Sequence, residues 1–156
     1  MLRTDFRAFS CDAECLEGLE CRTVDGADSF LWHCVSMSRP YQKLIVWKEA
    51  HELCISILSI ADAFPSKERF RLTDQICRAA CSVPTNIAEG SGRYAPGDQL
   101  HFYSIARASL EEVHYHAFLA KNLGYIDDST FQRVDSHVNR IGYLLSKLRM
   151  SAKSNK

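Results

Sequence analysis

The sequence predicts an all-α fold, an antiparallel up-and-down four-helix bundle over residues 38–150, and three observations support this. Apolar residues recur at three- and four-residue steps in four successive stretches after Ser38, the spacing that lines one face of a helix. None of these stretches alternates apolar and polar residues as a half-buried strand does. The breaks between them run about two to eight residues, the usual connection between antiparallel helix neighbours. Four amphipathic helices joined in this way bury their stripes against one another.

The first helix follows Tyr41. Trp47, Ala50, Cys54, Ile57, Leu58, Ala61 and Phe64 form its stripe, with Lys48, Glu49, Glu52, Ser56 and Ser59 on the other side. Phe64-Pro65 ends it, because a residue before proline is pushed out of the α region. Ser66, Lys67, Glu68 and Arg69 read as a short polar connection. The second helix is expected from Thr73, a candidate N-cap with Asp74 and Gln75 in the first turn, to Gly90. Leu72, Ile76, Ala79, Ala80, Val83 and Ile87 are its apolar stripe, and Arg78, Ser82, Thr85 and Glu89 share the opposite face. Pro84 removes one backbone hydrogen bond and should kink the helix. Gly90 and Gly92 are expected to stop it. Gly90-Ser91-Gly92 is not read as a phosphate cradle, since it follows a helix and no strand precedes it.

Pro96-Gly97-Asp98 opens the third helix. Its core stripe is Phe102, Ala106, Ser109, Leu110, Val113, Ala117 and Ala120. Tyr115, Phe118 and Leu119 lie off that stripe and give a second apolar surface, the mark of deeper burial or a subunit contact. Asn122-Leu123-Gly124-Tyr125-Ile126 has the order of a glycine C-cap followed by an apolar staple. Asp127-Asp128-Ser129 caps the fourth helix, whose stripe is Phe131, Val134, Val138, Ile141, Leu145 and Leu148. Residues 151–156 read as a frayed polar tail.

At 156 residues the chain is long enough for one domain with a real core. No window approaches eighteen uncharged apolar residues, so no transmembrane helix and no membrane partner are expected. Asp5, Arg7, Asp12 and Glu14 interrupt the N-terminus, so no signal run is expected, and the expected compartment is the cytoplasm. The formal net charge of zero hides an asymmetry. Arg3, Arg7 and Arg22 face Asp5, Asp12, Glu14, Glu17, Glu20, Asp25 and Asp28 in residues 1–37, so the remainder carries a matching basic excess of four. Residues 1–37 show no sustained periodicity. They read either as a disordered extension or as residues preceding a true start at Met37, and the abrupt change at Ser38-Arg39-Pro40 favours the second. Of seven cysteines, Cys11, Cys15, Cys21 and Cys34 (with His33) lack zinc-ligand spacing. Cys77 and Cys81 share a helix face and read as small apolar fillers rather than a metal pair.

The run from Phe64 to Arg93 carries a long motif: Phe64-Pro65, Glu68, Leu72, Gln75, Arg78-Ala79-Ala80, Ser82, Pro84, Asn86-Ile87-Ala88-Glu89-Gly90 and Arg93. It resembles the four-helix-bundle proteins encoded in intervening sequences of bacterial 23S ribosomal RNA genes. Accessory variability proteins of diversity-generating retroelements belong to the same group. The similarity continues through Ile105-Ala106, Ser109-Leu110, Glu112 and Leu123-Gly124-Tyr125, and covers essentially all of residues 38–150. Ala108 departs from the family's usual glycine and His114 from its frequent glutamate. The resemblance implies a bundle that assembles as a ring, typically a homopentamer. For the retroelement members it also implies binding of nucleic acid and of a reverse transcriptase.

No catalytic residue, metal ligand set or cofactor is expected. His51, His101, His114, His116 and His137 are scattered, Ser104 and Ser109 have no base at a recognisable spacing, and the matched Glu-x-x-His motifs that di-metal bundles place on two facing helices are lacking. Arg78, Ser82, Pro84, Asn86, Glu89 and Gly90 read as a structural and assembly motif. Arg78 and Glu89 lie about three turns apart, too far to pair with each other, and could pair with a neighbouring helix or subunit. Arg133, Arg140 and Lys147, spaced by seven, form a basic line on one flank of the fourth helix. Lys43, Lys48, Arg93 and Arg107 extend this candidate nucleic-acid surface. Five copies of the basic domain would carry about +20, enough to attract RNA or another nucleic acid. The expected function is therefore a non-enzymatic, oligomeric nucleic-acid-binding bundle, accessory to a reverse transcriptase or another RNA-handling protein. The alternative is a scaffolding oligomer with no nucleic-acid role.

Overall fold

The computed structural model describes residues 39–154. The expectations for residues 1–37, including a start at Met37 and the cysteines before it, lie outside the described residues, as do Asn155 and Lys156. Four helices make up the bundle: α1 (Ile45–Ala61), α2 (Asp74–Ser91), α3 (Pro96–Asn122) and α4 (Asp128–Ser154), with no strand among the described residues. Each helix packs on its chain neighbour and α4 closes back onto α1; the α2–α3 contact is the most extensive and the α1–α4 contact the slightest of the four. This is the up-and-down arrangement that the short connections predict.

The core follows the helical stripes. Every predicted apolar position of α2 is buried: Leu72, Ile76, Ala79, Ala80, Val83 and Ile87. They meet Leu53 and Ile57 from α1, Leu110 and Val113 from α3, and Ile141 and Leu145 from α4 in one cluster. Each such aliphatic side chain contributes about 1.5–3 kcal/mol when fully buried. On α1 the stripe is rotated from the expected one. Val46 and Leu53 are buried whereas Leu58 is 39% exposed, and Trp47 sits at the edge, stacked on His51 with ring centroids 5.0 Å apart. On α3, Tyr103 lies in the core and Phe102 only partly so.

The ends of the helices hold both confirmations and corrections. Gly124 has φ +73°, the Tyr125 N–H donates to Ala120 O at 2.9 Å and the Gly124 N–H to Lys121 O at 2.9 Å. These are the two bonds of the glycine C-cap expected there. Asp127 caps α4, its Oδ1 accepting the Thr130 N–H at 2.8 Å. Thr73, by contrast, is not an N-cap: its backbone is helical and its side chain makes no capping bond. The helical path begins earlier, through a 310 turn (Ser66–Glu68) and a wide π turn (Arg69–Thr73), where a polar connection was expected. A tertiary contact supplies the reason. Glu68 is buried, and its Oε1 accepts a hydrogen bond from the Tyr125 hydroxyl at 3.2 Å, so the connection is pinned to the bundle. At the other end α2 runs through Ser91, with Gly92 as its C-cap, so Gly90 is interior. The expected frayed tail is helical as far as Ser154, and Ala152 is buried.

Candidate functional site

Two polar regions account for the residues that the sequence singles out. The first is the α2–α3 seam. Ser82 Oγ and Ser109 Oγ are 2.9 Å apart, and Asn86 Nδ2 donates to Ser82 O at 2.8 Å and to Ser82 Oγ at 2.9 Å. The network sits next to Pro84, which is buried in the helix interior and lacks the N–H that would close the ladder. Thr85 Oγ1 donates to Cys81 O at 2.8 Å, so the two side chains that follow the proline both bond back onto the turn before it. Ser109 spends its hydroxyl on Ser82, away from any base. Gly90 lies beneath the Tyr103 ring: a Cβ there would sit 2.5 Å from Tyr103 Cε1. Arg78 and Glu89, expected to reach another helix or subunit, find partners one turn away, Asp74 at 3.2 Å and Arg93 at 3.8 Å. Thus Ser82, Pro84, Asn86 and Gly90 form one packed seam, and Arg78 and Glu89 stay at the surface.

The second region is the exposed flank of α4. Arg133, Arg140 and Lys147 share it because seven residues is close to two turns. They differ in what holds them. Arg133 Nη2 donates to Thr130 Oγ1 at 3.1 Å and forms no ion pair among the described residues, although its charge reaches the Asp127 carboxyl. Lys147 Nζ lies 5.4 Å from the centre of the Tyr143 ring, and Tyr143 is 63% exposed. Arg140 Nε donates to Glu49 Oε1 of α1 at 2.6 Å, and His137 Nε2 is 3.1 Å from Glu49 Oε2. The Glu49 side chain is mostly buried, so this carboxylate clamps α4 to α1 where the two helices touch least. Arg133, His137 and Arg140, with Asp127, Ser129 and Thr130, line a shallow depression of about 700 Å³ that does not reach Lys147.

The remaining candidate bases divide in the same way. Arg93 pairs with Glu89 and lies 4.7 Å from the centre of the Phe102 ring. Arg107 pairs with Glu111 at 2.5 Å and its guanidinium lies over Gly142 of α4. Both are absorbed by the fold. Lys43 and Lys48 are exposed and have no carboxylate partner among the described residues. Glu49, Glu52 and His137 bring one ligand-type atom each within 4.8 Å of one another. Arg140 already occupies Glu49, and its positive charge opposes a cation there.

Sequence reasoning missed Tyr143 and Glu49. Tyr143 was within reach, since positions 140, 143 and 147 share a helix face. Glu49 was not, because its partners lie 88 and 91 residues away and only the inter-helix register selects it. His114, read as a departure from an acidic pattern, pairs with Asp135 of α4 at 3.1 Å.

No helix among the described residues is long and apolar enough to cross a membrane. The family described as 23S rRNA-intervening sequence protein matches this chain over residues 42–147. The crystal structure of a protein of unknown function from the S23 ribosomal protein family of Bacteroides thetaiotaomicron superposes with a TM-score of 0.63 at 21% identity, over 67% of this chain and 98% of that one. At that identity the likeness speaks for the fold alone. No curated protein matches the chain.

Proposed function

The chain belongs to the 23S rRNA-intervening sequence protein family, and from that premise we propose that it is a non-enzymatic, self-associating bundle that binds structured RNA through the α4 flank. One observation carries the reading. Arg133 and Lys147 stand on one exposed flank with no carboxylate partner among the described residues, beside the exposed ring of Tyr143. Unpaired cations neutralise phosphates, and an accessible aromatic ring stacks on unpaired bases. Lys43 and Lys48 add two further cations, whereas Arg140, Arg93 and Arg107 are held by Glu49, Glu89 and Glu111. Self-association multiplies the surface, and an RNA-handling enzyme such as a reverse transcriptase is the protein partner class that suits it.

The test is a gel-shift titration with structured RNA across a salt series. Affinity should fall steeply with salt. Arg133→Glu with Lys147→Glu should weaken binding and lower the slope of log K against log[salt] by about one for each phosphate no longer neutralised. Glu49→Gln removes the carboxylate that engages Arg140 on the same flank, so it should not lower the slope. Binding that ignores salt, or survives the double reversal, overturns the proposal. A scaffold with no nucleic-acid role is the second reading. It is favoured by Tyr115 at 59% and Phe118 at 45% exposure, an apolar surface on α3 suited to another copy of the chain.

A further inference from the structure

Cys54 and Cys81 meet across the α1–α2 seam, and the nucleic-acid reading uses neither. Their Sγ atoms are 3.4 Å apart. Cys54 is buried, whereas Cys81 is exposed. Cys77 lies one turn before Cys81 on the same helix, but side chains so spaced hold their Cβ atoms about 5–6 Å apart, wider than the roughly 3.5–4.5 Å that a disulfide spans. The partner within reach of Cys81 is therefore on the other helix.

We propose that Cys54 and Cys81 are an oxidative modification site, a dithiol that a hydroperoxide closes into a disulfide tying α1 to α2. The two sulfurs have different tasks. Cys81, in contact with solvent, is the one a peroxide reaches. Its thiolate attacks the peroxide oxygen, the O–O bond breaks, hydroxide leaves and takes up a proton, and Cys81 becomes a sulfenic acid. The Cys54 sulfur then attacks the Cys81 sulfur. The S–O bond breaks, and the oxygen departs as water with the Cys54 proton. In sum, two thiols and one hydrogen peroxide give one disulfide and two waters, with two electrons passing from sulfur to peroxide. Burial and the contact with Cys81 push the Cys54 thiol up to about 12, so Cys54 is not the sulfur that forms the sulfenic acid. The part of that rise due to Cys81 is lifted once Cys81 is oxidised, and Cys54 then gives up its proton as it attacks. A small thiol reverses the step by attacking Cys81, the exposed sulfur.

Trypsin separates the three relevant cysteines, because Lys48, Lys67, Arg71, Arg78 and Arg93 place Cys54 in peptide 49–67, Cys77 in 72–78 and Cys81 in 79–93. The full chain is treated with hydrogen peroxide under native conditions, alkylated on denaturation, digested and weighed. Peptide 49–67 should be joined to 79–93, two hydrogen masses below their sum, and dithiothreitol should release both. Cys77→Ser should keep the linked species. Cys54→Ser should lose it and leave Cys81 to advance to the sulfinic acid. In the unaltered protein, a sulfinic 79–93 beside an alkylated 49–67 overturns the proposal, as does 79–93 joined to 72–78. Because Cys77→Ser and the unaltered chain both keep the native seam, the outcome does not depend on whether Cys54→Ser folds.

Discussion

At Gly90 a Cβ would lie 2.5 Å from Tyr103 Cε1 and 3.2 Å from Phe102 Cβ. The Tyr103 ring is 3% exposed and cannot swing into solvent, so any added atom must displace the α2–α3 seam. Gly90→Ala should therefore destabilise by about 1–3 kcal/mol, the usual penalty for overpacking, even though alanine is the better helix former. Urea denaturation measures it, and a variant as stable as the parent would show that the seam yields. Glycine acts here through what it leaves out. The Ser82–Asn86–Ser109 network is the polar counterpart. Each atom named there has a partner, which is the condition for burying polar groups without penalty.

The start of α4 is built by local chemistry. Hydrogen bonds from Thr130 and Ser129 hold the Asp127 carboxyl below its ordinary 3.8. A carboxyl with a lowered folded-state pKa favours folding in its ionised form. That contribution is present above about pH 3.8 and disappears as the pH falls through the lowered value. Asp127→Ala should lower Tm at neutral pH, and the gap to the parent protein should narrow in acid. Thermal melts between neutral pH and pH 3 test this, and a gap that stays constant would exclude the ionised cap as its source. Lys121 reaches Asp128 at 2.8 Å, so the α3–α4 turn is held by charge as well as by the Gly124 cap. The other contact of α4, on α1, depends on Glu49 and its two partners. A mostly buried carboxylate bridging two helices fixes their register more than it adds stability.

For the whole molecule, the described helices bury one continuous core and still leave Tyr115 and Phe118 in solvent. If copies of the chain associate through that surface, Tyr115→Glu with Phe118→Glu should shift the sedimentation coefficient toward the monomer while the helical circular dichroism stays unchanged. An unaltered sedimentation profile would remove α3 from the assembly surface. Charge reversal on α4 should leave sedimentation untouched, which separates the proposed assembly surface from the proposed phosphate-binding flank. The two faces were unequally legible. The basic line of α4 is a matter of spacing, and the structure keeps Arg133, Arg140 and Lys147 on one exposed flank. Spacing said nothing of their partners. Arg140 turned out to be engaged by Glu49, and Arg107 by Glu111.

By itself the sequence determined the four helices, the α2 stripe from Leu72 to Ile87, the glycine cap at Gly124 and the aspartate cap at Asp127. All of these follow from periodicity and neighbouring residues within about four positions. Only the tertiary structure decided that the Glu68 connection is helical, that Gly90 is interior packing, that α1 turns Leu53 inward and Leu58 outward, and that Cys54 touches Cys81. The reason is physical. A local pattern states which face of a helix is apolar, whereas the rotation and register between two helices come from packing side chains that are far apart along the chain. Which residues meet across a seam is set there, and so is the chemistry they can perform.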